Sequence, residues 1–300
     1  MTRFLRVALI ERVHLMKKAL KITLIVVAAL VVGAVILGVL NALFGDKWSL
    51  WTDYTYDDSN FTVGDGSIAV ENLTEIDLDW VDGNVTVISC QDAYPSLTET
   101  SKNELTEGSL LRWHLSEDGK LTVKYRESSF FLGRGNNKQK DLILRIPERF
   151  MEKLSIRIHV ASSNVFLDRL GAKEISIESG TGNVAMLSTS ICESLSIHTQ
   201  KGKILVSGSV FEKMTLSTEK SEIKVDSLIL PKTAELETKD GDIRMEFSAA
   251  PSITLDFHEE KGKYVSDFSL DERDGRLVSG DGACQLKVTT KSGTLYLTEK

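Results

Sequence analysis

Cysteine is nearly absent from this sequence. Cys90, Cys192 and Cys284 lie about a hundred residues apart, form no CxxC or other metal-ligand spacing, and, being three, cannot all pair within one chain. A disulfide framework and a structural zinc site are thereby excluded, and the three read as small buried apolar residues. Catalytic signatures are missing too: there is no G-x-S-x-G elbow, no H-E-x-x-H pair and no phosphate loop. The acids are scattered rather than gathered as a carbohydrate-cleaving site needs them. "GDGS" from Gly64 and "SGDGA" from Ser279 lack the length and ligand spacing of a calcium loop and read as turns. No cofactor is implied.

Charge is absent from one long stretch. Ile22 to Phe44 holds 23 residues without a formal charge, rich in Val, Leu, Ile and Ala. As a helix it would cover about 34 Å, enough to cross a hydrocarbon core. The run exceeds the apolar region of a cleaved signal peptide, and neither a small-x-small cleavage site nor a lipobox cysteine follows it. Arg3, Arg6, Arg12, Lys17, Lys18 and Lys21 precede it against the single acid Glu11. That bias predicts a cell-membrane protein with one pass, its N-terminus cytoplasmic and the rest extracellular. "MKKALKITLIVV" from Met16 is itself a plausible start, leaving residues 1–15 as an upstream extension with no effect on topology. The expected organisation is a basic tail (1–21), a transmembrane helix (22–44), a stalk (45–66) whose Trp48, Trp51, Tyr54 and Tyr56 sit near the membrane interface, and one domain over 67–300.

Beyond residue 47 a basic surplus is lacking. There, 29 Lys and Arg face 41 Asp and Glu, a net charge of −12. Such a surface repels nucleic acid and anionic headgroups, so no nucleic-acid partner is expected.

What is abundant is repetition. Ser163, Gly182, Gly202, Ser221, Gly241 and Gly262 follow one another at spacings of 19, 20, 19, 20 and 21 residues. Seven places before each stand Ile156, Ile175, Leu195, Met214, Ala234 and Leu255; five before stand Ile158, Ile177, Ile197, Leu216, Leu236 and Phe257. Two places after come Val165, Val184, Ile204, Ile223, Ile243 and Tyr264, with mostly polar residues between the columns. Alternation of this kind gives two half-buried strands per unit, and a fixed period of about twenty means stacked units. A lone unit buries too few aliphatic side chains, at roughly 1.5–3 kcal/mol each, to offset about 1–2 kcal/mol of ordering per residue. Stacked units share their apolar faces. The turn pairs Gly-Asn, Gly-Lys and Gly-Asp are expected to supply positive φ. A degenerate copy precedes the array around Gly83 and another follows around Gly293; between Gly83 and the array lie a hairpin turning at Asp118-Gly119 and a strand ended by Pro147. The expected fold is all-β, a parallel β-helix (β-solenoid) of about 20-residue coils preceded by one transmembrane helix. An antiparallel meander is the competing arrangement, since a two-residue turn also sets such columns opposite one another.

The anchor, the unit "IDLDWVDGNVTV", the strand "LILRIP" and the serial "S-I-x-S-G-x-G-N-V" coils together resemble the bacterial putative-adhesin domain family, which includes LiaG-like and YvlB-like membrane proteins linked to envelope stress. The resemblance covers about residues 67–300. It implies a right-handed parallel β-helix and an envelope location, and it transfers no catalytic residues.

Two features carry candidate sites. Four places before each turn stand His159, Glu178, His198, Ser217, Glu237 and His258, a register holding three of the five histidines. In a parallel solenoid, with coils about 4.8 Å apart, His159, Glu178 and His198 would line an outward face. They form either a plain solvated ladder or a weak metal-binding or pH-sensitive surface; a true zinc site needs three or four converging ligands, and a ladder offers them in a line. Phe130, Phe131 and Leu132 beside Arg134, Lys138 and Lys140 form either a cap on the open end or a loop touching membrane or partner. The expected function is a non-catalytic interaction or scaffold module, in adhesion or envelope-stress signalling, with an envelope protein or cell-wall partner. A carbohydrate-active β-helix enzyme and a purely structural stalk are the alternatives.

Overall fold

The computed structural model describes residues 54–128, 139–188, 192–226 and 229–300. The apolar run 22–44 and the loop carrying Phe130, Phe131, Leu132 and Arg134 lie outside them. Among the described residues no helix is long and apolar enough to cross a membrane. The compact unit that holds the strands takes in Tyr56 and the residues after it, inside the stretch read as a stalk.

The fold is all-β and solenoid-like, and its coils stack in parallel. Each coil lays one strand in a first row and, after the turn, a second strand in a second row. In the first row Glu174–Ser179, Cys192–Thr199, Phe211–Thr218 and Thr233–Thr238 follow one another as parallel neighbours. In the second, Val184–Leu187, Ile204–Ser207, Ile223–Asp226 and Ile243–Phe247 do the same. The long strands Glu75–Cys90 and Ser155–Asp168 run through both rows, paired in parallel from Glu75↔Ser155 to Ile88↔Asp168. The meander is therefore not the arrangement, and the degenerate first copy stacks directly on the array despite the 80 residues between paired positions.

The columns predicted to be apolar form the core. Ile156, Ile175, Leu195 and Met214, and after the turn Val165, Val184, Ile204 and Ile223, are all essentially inaccessible. Each column lies between its neighbours along the stack, so the sharing of apolar faces is literal.

Two expectations need correcting. The final copy does not extend the array past the Gly262 coil. Cys284–Thr290 pairs in parallel with Thr233–Thr238 on one side and with Ile253–Glu259 on the other, and Thr294–Glu299 lies likewise between Ile243–Phe247 and Lys263–Ser266. The C-terminal coil is thus threaded between two coils that are consecutive in sequence. The turn glycines, moreover, do not supply positive φ: Gly83 does, at 110°, but Gly182, Gly202, Gly241, Gly262 and Gly293 do not. They are required by close approach. A Cβ on Gly182 would lie 1.5 Å from the Ser163 carbonyl oxygen, one on Gly202 1.8 Å from that of Gly182, and one on Gly293 1.8 Å from that of Gly241. The Asn residues beside them form a ladder instead of tolerating strain: Asn164 Nδ2 donates to Asn84 Oδ1 at 3.1 Å, and Asn164 Oδ1 accepts from the Asn183 backbone N–H at 3.0 Å.

Candidate functional site

The histidine register lies on the outward side of the first row, where side chains alternate with the buried Ile and Leu columns. His159 pairs with Glu178 and Glu178 with His198, on consecutive coils, and Ser217 and Glu237 continue the line. Beyond Glu237 the threaded coil places Thr289, so His258 is separated from the others and pairs with its own neighbour Asp256, 3.1 Å from Nε2 to Oδ1.

On the opposite side of His159 stands Asp79, from the degenerate first copy, and beyond it Lys124. His159 Nδ1 lies 3.5 Å from Asp79 Oδ1, and Lys124 Nζ 3.2 Å from Asp79 Oδ2. The bond to Asp79, with further attraction from Asp79 and Glu178, raises the His159 imidazole above its usual range against partial burial. Burial works to raise the Asp79 carboxyl, but His159 and Lys124 outweigh it and hold that group below the usual carboxylate range. His198 Nδ1 faces Ser217 Oγ at 2.7 Å. Asp79 sits four places before Gly83, the same offset as the other members, and extending the column to the degenerate copy would have found it. Side-chain bonds join Lys124, Asp79 and His159 at one end of the line and His198 and Ser217 further along, with His159 placed between Asp79 and Glu178 by register. Among the described residues no three His, Cys, Asp or Glu side chains converge on a metal position.

A second polar cluster was invisible in the sequence. Lys140, grouped above with the loop cations, is 1% exposed. Its Nζ lies 2.7 Å from Glu99 Oε2 and donates to the Ser109 carbonyl at 2.6 Å. The Trp80 and Tyr125 rings flank the ammonium at 5.0 and 4.5 Å, and Glu99 Oε1 accepts from the Leu111 backbone N–H at 2.8 Å. Burial lowers the Lys140 ammonium, and Glu99 acts against that shift. Every polar atom of the pair is bonded, and the cluster locks the hairpin end of the stack onto the first coil. No spacing in the sequence brings residues 80, 99, 125 and 140 together.

The outward side of the second row differs from the first. Ile143, Thr86, Phe166, Ala185 and Leu205 form one cross-coil line by register. Ile88 and Leu187 flank Asp168 in the next line. Phe166 is 36% exposed. The stripe runs across neighbouring parallel strands.

A protein-family model matches residues 73–232, more than half of the chain, and its description is Toastrack DUF4097. The chain belongs to the Toastrack family. Among solved structures it is similar to a putative adhesin from Bacteroides fragilis (11% identity, 80% of this chain and 97% of that one, TM-score 0.40). It is similar also to a putative adhesin from Parabacteroides distasonis (11%, 79% and 97%, TM-score 0.41) and to a putative lipid binding protein from the same organism (14%, 78% and 96%, TM-score 0.43). No curated protein matches it. The Toastrack match starts at Leu73, two residues before the first parallel strand, and so takes in Asp79, His159, Glu178 and His198. Of the Toastrack chain's cysteines, Cys90 is half-buried rather than buried and Cys284 is buried, both as free thiols. Burial pushes the Cys284 thiol up to about 11, so it stays protonated at neutral pH.

Proposed function

We propose that this protein is a membrane-anchored, extracytoplasmic interaction module of the bacterial cell envelope, held by residues 22–44 with its basic tail in the cytoplasm. The observation that carries the reading is the apolar stripe at Phe166, Ala185 and Leu205. A contiguous apolar patch on a polar surface marks an interaction site, and a rigid sheet presents it without the entropy loss of ordering a loop. The partner is an envelope protein or cell-wall polymer, and the role is adhesion or envelope-stress signalling. No residue is assigned a catalytic role.

The reading is tested in two arms. Protease added to intact protoplasts should digest the chain from residue 48 onward and spare the N-terminal tail; a protected C-terminus overturns the topology. A photoreactive residue at Ala185 should form an adduct with an envelope component that is lost on Phe166→Asp, whereas one at Glu237, on the other row, should not. Equal labelling from both rows would remove the stripe from the account.

A further inference from the structure

The two rows end differently at the far end of the stack. In the first, Ile253–Glu259 is covered by Arg276–Ser279, which adds antiparallel and itself carries Asp271–Arg273. In the second, Lys263–Ser266 pairs with Thr294–Glu299 on one side, and among the described residues no strand lies on the other. The Asp267 N–H donates to the Leu297 carbonyl at 3.0 Å. By alternation along a parallel ladder, the N–H and C=O groups of Tyr264 and Ser266 face the open side. Tyr264 occupies the inward column that Val165, Val184, Ile204 and Ile223 fill as fully buried residues, yet it is 42% exposed, as is Val265 beside it. The edge therefore offers unpaired backbone groups and apolar surface at one place.

Its sequence, Lys263-Tyr264-Val265-Ser266-Asp267, is charge-complementary to itself when reversed. We propose that this edge is a self-association site, in which a second copy of the chain adds its own Lys263–Ser266 strand antiparallel about a two-fold axis through Val265. In that register Tyr264 stands opposite Ser266 of the second copy, and each such pair exchanges two backbone N–H···O bonds through groups that already point outward. Lys263 stands opposite Asp267 of the second copy, and the symmetry makes the same pair again. Among the described residues Lys263 has no ion-pair partner, while Asp267 uses Oδ2 to accept from the Glu299 N–H at 3.2 Å and keeps Oδ1 for a second donor. Centring on Tyr264 instead would set Lys263 opposite Val265 and leave the charges unmatched. Since outward residues meet outward residues, the inward columns run on from one copy into the other. A two-fold contact of this kind uses up both edges and closes at a dimer, which also removes an exposed edge that would otherwise invite aggregation.

The test uses the full-length chain in the cells that express it. On the axis, the two Val265 Cα atoms form a non-hydrogen-bonded pair, about 4.5 Å apart and within disulfide reach. Val265→Cys should give a crosslinked dimer on mild oxidation, while the unmodified chain and Val63→Cys, a comparably exposed control at 40%, should not. In the Val265→Cys background Lys263→Asp or Asp267→Lys should each abolish the dimer band, and the two together should restore it, because the swap re-pairs the charges. Rescue by the double swap keeps the test informative even if one single variant folds poorly. Equal crosslinking of Val265→Cys and Val63→Cys, failure of the double swap to restore the band, or crosslinking only to a different polypeptide would each overturn the proposal.

Discussion

Glu237 lies beside Thr289 and not beside His258, although His258 belongs to the next unit in sequence. The C-terminal coil has entered the stack between them. Backbone bonds repeat the point: the Lys291 N–H reaches the Thr238 carbonyl at 3.3 Å, and the Lys261 N–H the Lys291 carbonyl at 2.9 Å.

Paired cysteines read this order directly. Adjacent parallel strands lie about 4.8 Å apart, within disulfide reach, and strands two apart lie about 9.6 Å apart, beyond it. Glu237→Cys with Thr289→Cys should oxidise to an intramolecular disulfide, as should Glu178→Cys with His198→Cys. Glu237→Cys with His258→Cys should stay reduced. A gel-shift assay in which Glu237→Cys oxidised with His258→Cys and not with Thr289→Cys would show a simple serial stack.

Close stacking at the turns fixes the cost of adding one methyl group. Gly202→Ala would press a Cβ to 1.8 Å from a backbone oxygen, and the coils must part to admit it. We expect a loss of about 3 kcal/mol. Ser163, in the same column, carries the one buried side-chain polar atom without a partner among the described residues. Removing that hydroxyl in Ser163→Ala should raise stability by roughly 1 kcal/mol. Denaturant unfolding of the two variants should move the midpoint in opposite directions.

Breaking the Lys140–Glu99 pair from one side leaves a charge buried alone. Glu99→Leu or Lys140→Met should each cost about 3–5 kcal/mol, while the double variant should recover much of the loss. Thermal unfolding followed by circular dichroism measures all three. If the double variant were as unstable as the sum of the singles, the pair would not be the reason for the loss.

The Asp79–His159 contact makes stability depend on pH. The His159 value is raised in the folded state, so its contribution is complete below the unfolded value of about 6.5 and is lost as pH rises through the folded value. The Asp79 value is lowered, so its contribution is present above the unfolded value of about 3.9 and is lost as pH falls through the folded value. The pair therefore helps most between about pH 4 and 6.5. Because the His159 side chain is 65% exposed, the effect should stay below about 1 kcal/mol. The melting point of His159→Gln should fall further below that of the unmodified chain at pH 5 than at pH 8. Equal gaps at both pH values would remove His159 as the titrating group.

Much of the site was legible because it is periodic. The register of His159, Glu178 and His198 followed from counting back four places from each turn, and the same count from Gly83 yields Asp79. Lys140 was not legible. Its charge and its place beside a loop suggested solvent, whereas Glu99 and Trp80, from two other strands, and Tyr125, from the bend after a third, enclose it.

The sequence alone determined that the chain is built from repeated two-strand units, which residues face inward, and where each turn falls. These follow from alternation and period, which are local properties. Tertiary structure alone decided which coil lies against which. Every coil presents nearly the same apolar columns, so the columns do not specify their neighbours, and the last coil could be threaded before the sixth without violating the pattern. It also decided why the turns need glycine: the constraint is the carbonyl oxygen of the adjacent coil, supplied in the Gly293 turn by a residue 52 positions away.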